Sequence, residues 1–128
     1  MANVMTMLGH IAQEQKHYPL AKARYREGLT LYRTLSSTTY TAWCLEGLAA
    51  TLCAEGQYAQ AMRLCAAAAA MREQAQTPLP PAERGAFEHT VARAKAALSE
   101  SAFEEEWIIG SELTHDEAID YALSEACT

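Results

Sequence analysis

The stretch Leu8-Gly9-His10-Ile11-Ala12 continues through Tyr18-Pro19-Leu20-Ala21 to Tyr25 and Gly28, and it returns in altered form forty residues later. The second copy consists of Leu48-Ala49-Ala50-Thr51-Leu52, Tyr58-Ala59-Gln60-Ala61, Cys65 and Ala68. In both copies, small residues recur where a second helix has to lie close against a first one. The pattern therefore predicts two helical hairpins in tandem.

The spacing of these residues resembles the tetratricopeptide repeat. The positions that match its leucine-glycine pair, its small residue, its aromatic residue and its last small residue are Leu8, Gly9, Ala21, Tyr25 and Gly28. The second copy departs from the pattern, because Ala49 replaces the glycine and Cys65 replaces the aromatic residue. The resemblance implies an all-α, right-handed α-solenoid of helical hairpins that serves as a binding scaffold.

Apolar residues at helical spacing predict about seven helices in a single domain. We expect repeat one at 2–35, repeat two at 42–75, a degenerate third unit at 81–110 and a C-terminal capping helix at 114–126. The third unit is inferred because Phe103, Trp107 and Gly110 keep the spacing of the second helix of repeat one. Thr114-His115-Asp116-Glu117 has the form of a capping box, which predicts the start of the last helix.

Charge is distributed unevenly along the chain. The formal net charge is −6, which argues against nucleic-acid binding because that function needs a basic surface. Residues 1–76 carry seven basic and five acidic side chains, whereas residues 77–128 carry three basic and eleven acidic ones. The acidic end is either a solvated surface that keeps the chain soluble or an acidic docking surface.

The sequence offers little catalytic chemistry. The four cysteines form no CxxC pair, and three of them fall within helical patterns, where cysteine behaves as a small apolar residue. The four histidines lack metal-ligand spacing, and the adjacent carboxylates of Glu104-Glu105-Glu106 point in different directions on a helix. We therefore expect a non-enzymatic protein without a metal or a cofactor.

The sequence lacks the features of a secreted or membrane protein. Its N-terminus has no basic region followed by an apolar run, and its longest apolar run, 65–71, is too short to span a bilayer. Unpaired cysteines fit a reducing compartment. The prediction is a cytoplasmic protein that does not bind membranes.

Several segments resemble the C-terminal repeat region of LuxR-type and related bacterial transcriptional regulators, in which a signal-transducing ATPase precedes tetratricopeptide-like repeats. They are Leu8-Gly9-His10-Ile11-Ala12, 42–50, 71–73, 78–84 and 114–123. The resemblance implies a sensor or assembly arm of a larger regulator. The chain itself contains no phosphate-binding loop and no basic recognition helix.

The candidate partner site follows from the family pattern, in which the first helix of each hairpin lines a concave face. The positions that should point into this face are Asn3, Thr6, His10, Gln13, Trp43, Glu46, Ala50 and Cys53. Trp43 is the large aromatic residue among them and the type of residue that most often anchors an interface. The alternative is that Trp43 packs beneath the preceding loop.

Two further surfaces are candidates for contacts. Apolar residues of the first helix would lack cover at the start of an isolated array, which predicts self-association through this helix; they are Val4, Met5, Met7 and Ile11. Lys22, Arg26 and Arg33 share one face of the second helix and could meet an acidic partner, the acidic end of a second copy, or only solvent.

The predicted function is protein–protein interaction or effector sensing within a transcriptional regulator. One alternative is a free-standing adaptor that scaffolds an unrelated complex. Another is a receptor whose concave face binds a small inducer or a peptide. The partner is expected to be a protein or peptide, with no direct nucleic-acid binding by this segment.

Overall fold

The computed structural model describes the backbone of residues 2–35 and 37–127 and the side chains of 4–35 and 37–127. Seven α-helices and one short 3-10 helix make up this part of the chain, without a strand, and the expected all-α class is confirmed. The helices are α1 (Ala2–Glu14), α2 (Tyr18–Leu35), α3 (Thr38–Ala54), α4 (Tyr58–Ala75), α5 (Pro81–Ala97), α6 (Glu100–Ser111) and α7 (His115–Leu123), followed by the 3-10 turn Glu125–Cys127.

Helices α1 and α2 form one hairpin, α3 and α4 form another, and the same turn closes both. Lys16 and Gly56 have φ angles of 62° and 83°, in the left-handed region. The amide of His17 donates to the carbonyl of Ala12 at 2.9 Å, and the amide of Gln57 donates to that of Leu52 at the same distance. These bonds satisfy carbonyls at the end of the first helix of each hairpin, so the chain reverses without unpaired backbone groups.

Tyr25 joins the two hairpins. Its ring is fully buried between Gly9 of α1 and Gly47 of α3. A Cβ atom on Gly9 would lie 2.7 Å from the ring, and one on Gly47 would lie 2.5 Å from it. The two glycines thus allow the backbones of α1 and α3 to approach the same aromatic side chain, which fixes how the second hairpin stacks on the first.

The third pair of helices is arranged differently. Helix α6 lies mainly against α4 and touches α5 at few residues, so α5 and α6 do not close a hairpin in the way that α1 and α2 do. Gly110 allows the two helices to approach closely, because a Cβ at this position would overlap the carbonyl oxygen of Arg63 and contact the Cβ of Ala66 on α4. Helix α5 is therefore free to lie beside α3, where it forms a wall of the site described below.

Helix α7 begins with the predicted capping box, which is confirmed. The amide of Glu117 donates to Thr114 Oγ1 at 3.1 Å, and the amide of Thr114 donates to Glu117 Oε1 at 2.9 Å. The helix then folds back over α2, α3 and α4. Its Ala118, Ile119 and Ala122 are fully buried there.

The basic residues on one face of α2 bind other residues of the same chain. Arg33 pairs with Asp120 at 2.5 Å, Arg26 Nη2 donates to the carbonyl of Leu123 at 2.8 Å, and Lys22 pairs with Glu55 at 2.8 Å. Contact with residues of the same chain was not among the alternatives drawn from the sequence, although Arg33 and Asp120 remain exposed to solvent. Part of the uneven charge along the sequence thus stabilises the return of α7 onto the first hairpin.

Among the described residues, no helix combines the length and the apolar character needed to cross a bilayer.

Candidate functional site

A groove of about 310 Å³ runs across α1, α3 and α5. Its floor comes from α1 and α3, and its far wall comes from α5 and the loop before it. The lining residues are His10, Gln13, Glu14, Trp43, Glu46, Gly47, Ala50, Leu79, Ala82, Glu83, Ala86, Phe87 and Thr90. The first helices of successive helix pairs thus line one continuous surface.

Five of the eight residues predicted for the concave face line this groove, and they are His10, Gln13, Trp43, Glu46 and Ala50. Thr6 does not, because its side chain is fully buried and its hydroxyl is hydrogen-bonded to that of Tyr32 at 2.9 Å. Cys53 is also buried, with its thiol directed at the carbonyl of Thr90 at 3.7 Å, although it borders an adjoining cleft. The side chain of Asn3 lies outside the described residues.

A hydrogen-bonded network fixes the polar side chains at the groove floor. The hydroxyl of Tyr25 donates to Gln13 Oε1 at 2.9 Å and lies 2.9 Å from His10 Nδ1. Burial raises the pKa of Tyr25, so this hydroxyl keeps its proton. Because that single proton is directed to Gln13, Nδ1 of His10 must carry the hydrogen in the bond between His10 and Tyr25.

This tautomer leaves Nε2 of His10 as an acceptor. Burial lowers the pKa of His10 below its ordinary value of 6.5, against the opposing effect of Glu83 and Glu14, so the neutral ring is favoured. Nε2 is shielded by the protein and has no hydrogen-bond partner among the described residues. A buried acceptor without a donor is unfavourable.

Trp43 lies beside His10 on the groove floor. The two ring centroids are 5.2 Å apart, and the ring centroid of Tyr40 lies 6.4 Å from that of Trp43. Trp43 is only partly buried, so its neighbours hold the ring in place while part of it stays open to the groove. The ring thus packs against α1 and against its own helix and also lines the groove, and its role as a binding residue stays a prediction.

Glu46 is neutralised from the side away from the groove. Its carboxylate receives two bonds from Arg72, Nε to Oε2 at 2.5 Å and Nη2 to Oε1 at 2.9 Å. Burial raises the pKa of Glu46 despite the Arg72 guanidinium. Glu14 and Glu83 are different, because neither has an ion-pair partner among the described residues.

The wall from α5 was not identified from the sequence. Glu83, Ala86, Phe87 and Thr90 follow one another at intervals of three, one and three residues, which places them on one helical face toward the groove. That spacing was visible in the sequence. Phe87 is half-buried, and it packs against the core and also lines the groove.

The buried thiols are held in their neutral form. Burial raises the pKa of Cys44 to about 12 and that of Cys127 to about 11, and it raises those of Cys53 and Cys65 as well. A thiol with a raised pKa and no solvent access is a poor nucleophile. In the described part of the chain, no three histidine, cysteine or carboxylate side chains are grouped so that they could hold a metal ion.

The second hairpin is the part of the chain that matches a known family. Residues 41–75 match the tetratricopeptide repeat. The matched segment spans almost all of α3 and α4, the pair that supplies Trp43, Glu46 and Ala50 to the groove. No curated protein and no solved structure matches the chain. Tetratricopeptide repeats generally mediate protein–protein interaction, and the match extends to the repeat alone, without a link to transcriptional regulators.

Proposed function

We propose that this chain is a non-enzymatic binding module that holds a peptide segment of a partner protein in the groove of α1, α3 and α5. The observation that carries the proposal is the placement of Trp43, which packs beside His10 and Tyr40 and also lines the groove. A rigid, partly desolvated aromatic ring is typical of a residue that dominates binding energy. The tetratricopeptide match of 41–75 supports the same class of function.

The proposal can be tested by selecting binders from a displayed library of random peptides. We expect peptides that bind the full chain and lose at least about tenfold in affinity to the Trp43→Ala variant. Trp107→Phe is the matched control, because Trp107 lies on α6 and does not line the groove. Selected peptides that bind Trp43→Ala as tightly as the parent chain, with an unchanged circular dichroism spectrum, would refute the proposal.

A small-ligand receptor is the alternative, and the size of the groove speaks against it. Its volume of about 310 Å³ is at the lower limit of small-molecule sites, which enclose most of their ligand. A surface that crosses three helices in sequence is better suited to an extended chain. Thermal stabilisation by a small molecule in a metabolite screen, without any peptide binder, would favour the receptor.

The biological context that we propose is a cytoplasmic regulator of the LuxR type, in which this chain is the sensor or assembly arm. Support comes from the sequence resemblance, and the four free cysteines fit a reducing compartment. An immunoblot of the source cells with an antibody against this domain is the test. A band several times larger than 14.0 kDa is expected, whereas a band near that mass would favour a free-standing adaptor.

We also propose that the first hairpin pairs with a second copy of the chain. Of the nine large apolar side chains that are exposed in the described residues, seven lie on α1 and α2: Val4, Met7, Leu8, Ile11, Leu20, Leu31 and Leu35. The residues of α3 that correspond to Val4, Met7, Leu8 and Ile11 are buried by the preceding hairpin; they are Cys44, Gly47, Leu48 and Thr51.

A two-fold arrangement would cover the same apolar face on both copies. Light scattering should therefore give a dimer mass at high concentration. The Met7→Glu/Ile11→Glu variant should remain a monomer with an unchanged helical spectrum, because both side chains are about half exposed, at 54% and 50%. A parent chain that stays monomeric throughout would refute this pairing.

A further inference from the structure

Building on the proposed peptide-binding function, we propose that the groove selects a partner segment with a basic side chain, best an arginine, which lies over Trp43 between Glu14 and Glu83. Two independent features of the described groove lead to this assignment. They are its charge and its exposed aromatic surface.

The charge of the groove is one-sided. Its lining contains the carboxylates of Glu14, Glu46 and Glu83 and no lysine or arginine. Arg72 compensates Glu46 from beneath, so two negative charges remain. A bound cation would pair with both Glu14 and Glu83, whereas an acidic segment would be repelled.

The polarity of the neighbouring cleft supports this position. That cleft, of about 230 Å³, shares Gln13, Ala50, Ala86 and Thr90 with the groove, but its lining also includes Arg93 and His89. A basic side chain is therefore disfavoured there. The cation is directed to the end of the surface that holds Trp43 and the two free carboxylates.

The second feature favours a cation with a flat shape. The partly exposed ring of Trp43 offers a surface for a cation–π contact, to which a guanidinium adds stacking. An arginine has five N–H donors in a planar fork, so it can pair with a carboxylate while it lies on this ring. A lysine ammonium satisfies fewer of these groups at one time.

The test uses short synthetic peptides of alanine and leucine whose central residue is arginine, lysine, citrulline or glutamate. Binding to the full chain is followed by nuclear magnetic resonance at the Trp43 indole and the His10 ring. Citrulline has nearly the shape of arginine but no charge. We expect arginine to bind most tightly, lysine next, citrulline at least about tenfold more weakly than arginine, and glutamate not at all.

A matched pair of variants separates local from overall charge. Glu14→Gln/Glu83→Gln removes the two groove carboxylates and should abolish the preference for arginine over citrulline. Glu104→Gln/Glu105→Gln makes the same change in net charge on the exposed surface of α6, outside the groove. This second pair should leave the preference unchanged.

The outcomes distinguish this inference from the function on which it rests. Citrulline and arginine peptides that bind equally well at Trp43 would overturn the charge selection and leave the peptide-binding function standing. If none of the four peptides and no selected peptide shifts Trp43, both proposals fail. An unchanged arginine preference in Glu14→Gln/Glu83→Gln would also overturn the assignment, because the cation would then be bound elsewhere.

Discussion

Lys16 and Gly56 occupy the same position of two successive hairpins, and both adopt left-handed backbone conformations, with φ angles of 62° and 83°. Glycine enters this region without a steric cost, whereas lysine has a Cβ that crowds the following carbonyl. The first turn therefore carries strain that the second avoids. The backbone hydrogen bonds of the two turns are the same, so the difference lies in the residue alone.

Replacing Lys16 with glycine should raise the free energy of unfolding by about 0.5–1 kcal/mol, because relief of the left-handed strain exceeds the added entropy of the unfolded chain. Gly56→Ala should lower the free energy of unfolding by about 1 kcal/mol, because it introduces that strain into the second turn. No other atom lies within 4 Å of a Cβ placed at Gly56, so the effect would be purely conformational. Urea denaturation measures both, and a neutral Gly56→Ala would contradict the prediction.

Gly110 and Gly85 give a second matched pair. A Cβ on Gly110 would overlap the carbonyl oxygen of Arg63, so Gly110→Ala should push α6 away from α4 and destabilise the chain by about 1–3 kcal/mol. Gly85 lies within α5 with open space around it, so Gly85→Ala should stabilise the chain by up to about 1 kcal/mol. Thermal unfolding should shift in opposite directions for the two variants. A shift in the same direction would show that the contact between α6 and α4 is loose.

The ion pair between Arg72 and Glu46 is nearly buried, with side-chain exposures of 7% and 10%. Arg72→Leu should therefore destabilise the chain by about 3–5 kcal/mol at neutral pH, because Glu46 would keep a buried charge without a partner. Glu46→Leu/Arg72→Leu removes both charges and should recover most of that loss. Urea denaturation of the two variants and the parent chain provides the measurement.

The stability of the Arg72→Leu variant, compared with that of the parent chain, should also change with pH in a defined direction. Burial already raises the pKa of Glu46 in the parent chain, and loss of the guanidinium would raise it further. Because the pKa of Glu46 is raised in the folded state, the folded chain binds the proton more readily than the unfolded chain does. The difference in free energy of unfolding between Arg72→Leu and the parent chain should therefore shrink as the pH falls. A deficit that grows on acidification would argue that Glu46 is solvated.

His10 predicts a pH dependence of opposite sign. Its pKa is lowered in the folded chain, so the unfolded chain binds more protons below the ordinary value of about 6.5. The contribution of neutral His10 to the free energy of unfolding is complete above this ordinary value and is lost as the pH falls below it. On going from about pH 7.5 to about pH 5.5, the parent chain should lose more free energy of unfolding than the His10→Gln variant. Glu14 and Glu83 face the ring and oppose this effect, while Tyr25 and Trp43 shield it.

Several features of the fold could be predicted because they depend on local pattern. Apolar periodicity predicted about seven helices, and the capping box at Thr114 marked the start of α7. The sequence prediction placed Thr6 and Cys53 on the concave face, because the side chain of a residue at the edge of a helical stripe can point toward the groove or toward the core. Only the contacts with Tyr32 and Thr90 show that these two side chains point inward.

The sequence by itself determined the all-α class and the tandem hairpins, since both follow from periodicity and small-residue spacing within about forty residues. The contribution of α1 and α3 to one concave face was expected from the resemblance to the tetratricopeptide repeat. The tertiary structure decided what depends on contacts between distant segments. It placed α6 against α4, which left α5 to complete the groove, and it returned the acidic α7 to the basic face of α2. Such contacts depend on how whole helices fit together, and no local pattern encodes that fit.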